Sequence, residues 1–254
     1  MLLQGKVALV TGGAHRVGKA ITLALAEAGA DVIVHYGSSD AAARDTVREI
    51  EARGGRAAAI QADLHDPAQI DRLFAEVQAQ FGRLDVLVNS AASFMRQPFD
   101  EIELDDWKDA LQVNLRAPFL CTQRAARLMR AVERPADEPA LIVNITDLSG
   151  IQAWRYYVQH GVSKAGLIQL TRIAARTLAP AIRVNAIAPG AILPPPHMDP
   201  AGDAWQRLGE RVPLQRTGHP RFIGQTVVFL AHNDYITGAV IPVDGGEHLI
   251  GPAN

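Results

Sequence analysis

In the run "WRYYVQHGVSK", His160 and Lys164 stand four residues apart. On a helix that spacing puts both side chains on one face. Asp147 lies a short loop upstream, in "NITDLSG". An imidazole, an ammonium and a carboxylate gathered in one place can move a proton. The Lys164 cation would depress His160 below the ordinary histidine pKa of about 6.5 and leave neutral imidazole, a poor donor. Asp147 would offset this by stabilising imidazolium, making the Asp147–His160 pair a general acid near neutrality. Two other sources stay open. Tyr157 and Tyr156 precede His160 by one turn if the helix has already begun there. Asp147 with a water could also deliver the proton. The plain alternative is a histidine that merely bonds a carbonyl, in a protein that binds a cofactor without fast turnover.

Such residues need a frame, and the sequence alternates in a way that supplies one. Short apolar runs at 6–10, 31–35, 56–60, 86–89, 141–145, 182–187 and 239–243 suit strands covered on both faces. Helical stretches fall between them at about 18–28, 40–53, 66–81, 104–130, 159–179 and 222–231. The pattern predicts an α/β fold: a Rossmann-type doubly wound parallel sheet of about seven strands, helices on both faces, as one domain over 1–254. The proline-rich stretch 188–203, "APGAILPPPHMDPAGD", predicts a long loop, and a segment of about 189–212 would cover a substrate. Met198 and Trp205 are candidate apolar walls, and His197 reads as a loop histidine with no metal partner spaced to join it.

The turn "TGGAHRVGKA" follows the first strand and opens the first helix. Gly12 and Gly13 permit backbone closed to other residues, and Gly18 lets the helix approach the sheet. Helix N–H groups would then face a pyrophosphate, with Arg16 and Val17 beside it. After the second strand the chain reads "VIVHYGSSD". Positions 35–39 hold no carboxylate to repel a 2′-phosphate; Asp40 would cap the next helix. Arg16 could pair with that phosphate, and Ser38 and Ser39 could donate to it, with His35 alongside. This favours NADP(H) over NAD.

Taken together, the turn with Gly12 and Gly18, Asp63-Leu64, "NSAAS" from Asn89, Asn114 in "QVNL", Lys164 in "SKAGL", Pro189-Gly190 and "TGAVIPVDGG" resemble the short-chain dehydrogenase/reductase family over essentially the whole chain. Arg16 in place of a middle glycine, "HYGSS", Phe94 after the fourth strand and Asp147 where most relatives carry serine look like its pteridine reductase branch. The resemblance implies that Asp63 bonds the adenine amino group with Leu64 beside it, that Asn89 lies by the adenosine ribose, and that Ile192, after Pro189-Gly190, meets the carboxamide. Lys164 would hold the nicotinamide ribose, Asn114 a water relay, and Phe94 a stacked planar substrate. It also implies a homotetramer paired through the helices at 104–130 and 159–179. His160 replaces the family's catalytic tyrosine. Tyr157 can accompany that tyrosine in the branch, so its presence is not compensation. Ser38 stands where pteridine reductases often carry arginine.

The bulk composition excludes other classes. A net charge of −2 offers no field for nucleic acid or an anionic membrane. No apolar run approaches the roughly 18 residues that cross a bilayer. The single cysteine, Cys121, rules out an internal disulfide framework and fits a reducing cytosol. The expected protein is a cytoplasmic NADPH-dependent reductase of a pteridine or another small planar carbonyl or imine, with no metal. The alternatives are a ketoreductase or alcohol dehydrogenase, and a catalytically weak NADP(H)-binding redox sensor.

Overall fold

The computed structural model describes residues 1–194, 198–199 and 201–250; His197 lies outside them. Seven strands form one sheet: β1 (Val7–Thr11), β2 (Asp31–Tyr36), β3 (Ala57–Gln61), β4 (Val86–Asn89), β5 (Ala140–Ile145), β6 (Ile182–Pro189) and β7 (Val240–Val243). Their order is β3-β2-β1-β4-β5-β6-β7, and every pairing is parallel. The order reverses between β1 and β4, where Thr11 pairs with Asn89 at the carboxyl ends. In open α/β sheets, ligands bind in the crevice beyond that point.

Strand periodicity explains why the sheet is covered twice. Val7 and Leu9 of β1, Leu87 of β4 and Ile142 of β5 point to one face, under α3 (Pro67–Phe81), α5 (Ala117–Arg130) and α6 (Val158–Leu178). Ala8, Val10, Val86, Val88, Leu141 and Val143 point to the other, under α1 (Arg16–Glu27) and α8 (Pro220–His232), with Ile50 of α2 (Asp40–Glu51) at its margin. Alternate residues thus feed opposite cores, and a polar face never appears.

Three boundaries differ from the sequence expectation. The helix predicted over 104–130 is α4 (Leu104–Leu111) and α5 joined by a π-helical turn at Gln112–Arg116, with Asn114 buried inside it. Propensity does not signal one extra residue in a turn, and π-bulges gather at functional positions. The covering segment is not loop throughout: Asp203–Arg211 form α7, which starts after the prolines end. Asp40 does not cap α2. Ser39 occupies the N-cap position, while the Asp40 carboxylate accepts from Tyr36 Oη at 2.7 Å and Arg44 Nε at 2.8 Å.

Candidate active site

The phosphate turn is built so that backbone comes close. Gly12 has φ of 63°, and a Cβ there would lie 3.0 Å from the Ala91 Cα. A Cβ on Gly18 would lie 2.1 Å from the Gly12 carbonyl, so only glycine lets α1 sit against the turn. Arg16 takes a glycine-like φ of 49°, which costs a side-chain-bearing residue roughly 1–2 kcal/mol. No side chain caps α1 at His15. Its first N–H groups are left for an anion, and the glycine cradle leaves room for one. These features fit a dinucleotide pyrophosphate. The Arg16 guanidinium reaches across the mouth and donates to the Pro194 carbonyl at 2.7 Å.

His35 holds this turn from below. It is 2% exposed; the Gly12 N–H donates to its Nδ1 at 3.1 Å, and its Nε2 lies 3.0 Å from the Ala62 carbonyl. One partner is a donor and the other an acceptor, so the ring is the neutral Nε2–H tautomer. Burial pulls its pKa down to about 4, against a small upward pull from Ala62. With both nitrogens taken by protein, the His35 side chain positions the turn and does not reach for a ligand. Ser38 is exposed and Ser39 half-buried beside it.

The second cluster lies at the carboxyl ends of β4 and β5. His160 sits in the first turn of α6 and is 2% exposed. Its Nε2 is in a short hydrogen bond with Asp147 Oδ2, and its Nδ1 lies 2.9 Å from the Ser93 carbonyl oxygen. Both partners only accept, so both ring nitrogens donate and the pair is imidazolium on carboxylate. Asn114 Nδ2 also approaches Nδ1, at 3.3 Å, but its hydrogens have closer acceptors in the Ser93 carbonyl at 2.9 Å and Ser163 Oγ at 3.0 Å. Asp147 Oδ1 accepts from Ser149 N–H at 2.8 Å and from Ser149 Oγ. Burial pushes the Asp147 carboxyl up. The bond and charge of His160, the Lys164 cation and Ser149 outweigh it and hold the group below the usual carboxylate range. Lys164 is buried and donates to the Ile145 carbonyl at 2.8 Å; burial pulls its pKa down and Asp147 opposes that.

An aromatic wall closes the same space. The Phe94 ring stacks on Tyr157 with centroids 4.7 Å apart and meets His160 edge-on, also at 4.7 Å; Trp154 meets Tyr157 edge-on at 5.6 Å. Phe94 is 46% exposed, so it is no core residue. Tyr157 occupies the N-cap position of α6, and burial raises its phenol pKa.

A family model described as "Enoyl-(Acyl carrier protein) reductase" matches residues 12–248. A 3-oxoacyl-[acyl-carrier-protein] reductase of Synechocystis sp. is 36% identical, covering 96% of this chain and 97% of that protein. The crystal structure of FolM Alternative dihydrofolate reductase 1 from Brucella canis, complexed with NADP, superimposes with a TM-score of 0.90 at 32% identity, over 99% of this chain and 97% of that one. A blue fluorescent protein from a metagenomic library, in complex with NADPH, superimposes with a TM-score of 0.86 at 36% identity, over 97% and 99%. The chain belongs to the short-chain dehydrogenase/reductase family.

Within that family frame, the expected site residues fall into two groups. Asn114, Asp147, His160, Lys164, Tyr157 and Phe94 meet at one end of the sheet. Gly12, Arg16, Val17, Gly18, Pro189 and Gly190 border the crevice at the carboxyl ends of the strands. Five others turn elsewhere. Asn89 is directed into the sheet, where its Nδ2 donates to Asn144 Oδ1 at 2.8 Å; Asn144 donates on to Thr171 Oγ1 at 2.9 Å, which ties β4, β5 and α6 together. The Ile192 and Leu64 side chains belong to the two cores, leaving their backbones for a ligand. Trp205 is 8% exposed and offers little ring to a pocket, whereas Met198 is half-buried. Asp63 is exposed and paired with His65.

Sequence reasoning missed several residues that hold the dehydrogenase/reductase site. Thr11 Oγ1 accepts from the N–H groups of Ser90 and Ala91. Glu247 accepts from Ala191 N–H at 2.9 Å and so fixes the start of the covering segment; burial raises its carboxyl. Ser93 and Asp109 brace the end of the site that holds Asn114 and His160. Long-range pairing was the only signal for these, and one sequence does not carry it. Among the described residues no helix is long and apolar enough to cross a membrane, and no group of three His, Cys, Asp or Glu is placed to hold a metal.

Proposed function

We propose that this chain is an NADPH-dependent reductase of a small planar imine or carbonyl compound of the pteridine type, with Asp147, backed by His160, as the proton donor. The observation that carries the reading is the bond from His160 Nε2 to Asp147 Oδ2 beside the buried Lys164. Bound NADPH would supply the hydride. Gly12, Gly18 and the first turn of α1 would hold the pyrophosphate, and Lys164 the nicotinamide ribose. Ser38, Ser39 and Arg16 would meet the 2′-phosphate; the nearby Asp40 is already satisfied by Tyr36 and Arg44. The NADP in the Brucella canis structure supports the same choice.

Hydride arrival at a C=N carbon drives the π pair onto nitrogen, and that nitrogen takes a proton from Asp147 Oδ2. Asp147 has just accepted that proton from His160 Nε2, and the neutral imidazole is reprotonated from solvent. The other His160 proton stays on the Ser93 carbonyl, so the ring cannot swing to meet the substrate itself. Lys164 lowers the cost of the carboxylate that remains. Phe94, exposed above His160, would stack on a flat substrate after parting from Tyr157.

A ketoreductase acting on another substrate is the second reading, favoured by the similarity to the Synechocystis 3-oxoacyl-[acyl-carrier-protein] reductase. Stopped-flow oxidation of NADPH and NADH against dihydrobiopterin, dihydrofolate, quinones and acyl carbonyls separates the two. NADPH oxidation with the pterins supports the first. Turnover confined to acyl carbonyls selects the second, and tight NADPH binding with no oxidation by any of them would point to a redox sensor. We also place the enzyme in the cytoplasm as a homotetramer. Cys121 is buried with its thiol pushed up to about 12, so it is inert, and exposed Phe119 of α5 and Ile173 of α6 suit pairing through those helices. Sedimentation velocity tests the assembly.

A further inference from the structure

A line of hydrogen bonds outside the proton-donor pair runs from the protein surface to His160. Asp63 Oδ1 accepts from the His65 N–H at 2.9 Å and faces its ring Nδ1 at 2.8 Å. The other ring nitrogen, Nε2, lies 2.7 Å from Asp109 Oδ1. Asp109 Oδ2 accepts from Ser93 Oγ. Ser93 is then gripped from inside: its N–H donates to Asn114 Oδ1 at 2.8 Å, and its carbonyl accepts from Asn114 Nδ2 and His160 Nδ1, each at 2.9 Å.

Carboxylate oxygens only accept, so His65 must carry both ring protons for both contacts to be hydrogen bonds. A neutral ring could keep only one. The charged groups facing His65 are Asp63 from the loop after β3, Asp109 from α4, and Arg116 from the π-helical turn, whose Nη2 donates to the His65 carbonyl at 2.6 Å. The bond from Asp109 raises His65 above the ordinary histidine range; burial opposes it, and Asp63 adds to it. The line is no proton wire, because a backbone carbonyl cannot pass a proton from its oxygen to a neighbouring hydroxyl. It is a brace: Asp109 fixes the hydroxyl of the same residue whose carbonyl aims the His160 ring.

We propose that Asp109 and the His65 imidazolium are positioning residues that clamp Ser93, so that its carbonyl holds His160 with Nε2 on Asp147. The predicted effect on turnover rests on the reductase reading; the effect on the His160 ring does not. NMR of the ¹⁵N-labelled full chain without cofactor therefore reads the clamp directly, through the His160 Nδ1–H proton. In Ser93→Ala and Asp109→Ala this signal should shift and exchange with solvent roughly tenfold faster, about the worth of one ordinary hydrogen bond. Asp109→Asn is nearly isosteric and can still accept from Ser93 Oγ, so it should recover most of the protection while losing the link to charged His65. In the wild type, raising pH through the His65 titration should loosen the same signal, and His65→Phe should abolish that pH dependence. Steady-state turnover of Asp109→Ala should fall in kcat by roughly tenfold with NADPH affinity held within about twofold. An unmoved His160 Nδ1–H in both alanine variants and in Asp109→Asn overturns the clamp. A signal that moves as stated in a chain that reduces nothing leaves the clamp standing and removes the reductase.

Discussion

His35 under the phosphate turn and His160 beside Asp147 are both 2% exposed, yet they differ in charge. His35 faces one donor and one acceptor, the Gly12 N–H and the Ala62 carbonyl, and is neutral. His160 faces two acceptors, the Ser93 carbonyl and the Asp147 carboxylate, and is charged. Burial is common to both, so the partners decide. A buried ring carries as many protons as its neighbours can accept, and one molecule holds the same side chain once as a neutral strut and once as half of an ion pair.

That contrast can be broken at each end. The largest effect should come from Asp147→Asn, which removes the proposed proton donor: kcat should fall by roughly 10²–10⁴ in single-turnover NADPH oxidation, with cofactor affinity little changed. His160→Ala should destabilise the fold by about 3 kcal/mol in urea titrations near neutrality, because it leaves the Asp147 carboxylate without its counter-charge. A stability equal to wild type would mean that the pair is not ionised. A comparable change, of opposite origin, is expected at His35. Its folded pKa of about 4 lies below the ordinary histidine value of 6.5, so its neutral state stabilises the fold fully above the unfolded value. That contribution, about 3 kcal/mol at most, should disappear as pH falls from 6.5 to about 4. His35→Asn, which can still accept and donate, should flatten stability across that window. Asp147, held low in the fold, loses its contribution in a separate window, as pH falls through its own depressed value. The smallest effect is Phe94→Ala, where loss of stacking should weaken binding of a planar substrate by about 1 kcal/mol and leave aliphatic ketones unaffected.

The sheet was legible because continuous apolar runs separated by helical stretches leave few alternatives; every predicted strand lies within two residues of its place. Gly12 and Gly18 were legible because their need for a missing Cβ is local. The pairing of Asp147 with His160 was one of the readings left open, because the family resemblance sets both at the positions of its serine and tyrosine; the structure joins them. What escaped was orientation. The resemblance set Asn89 by the adenosine ribose, but Asn144 on the neighbouring strand claims its side-chain amide. The role of His35 depends on Gly12 and Ala62, which come beside it only when β1, β2 and β3 are in register. Ser93 ends the run "NSAAS" but nothing in that run gives its partner, Asp109 lies in no motif, and their bond exists only once α4 lies against the loop after β4.

The π-helical turn at Gln112–Arg116 sets the phase between α4 and α5. Each residue of an ordinary helix advances the chain by about 100°. Deleting one residue there would rewind the turn to regular geometry and swing Asp109 a quarter-circle or more away from Ser93, while Ala117 onward kept its seat on the sheet. A single-residue shortening that looks harmless by length would unhitch one end of the site from its support and leave the core beneath intact.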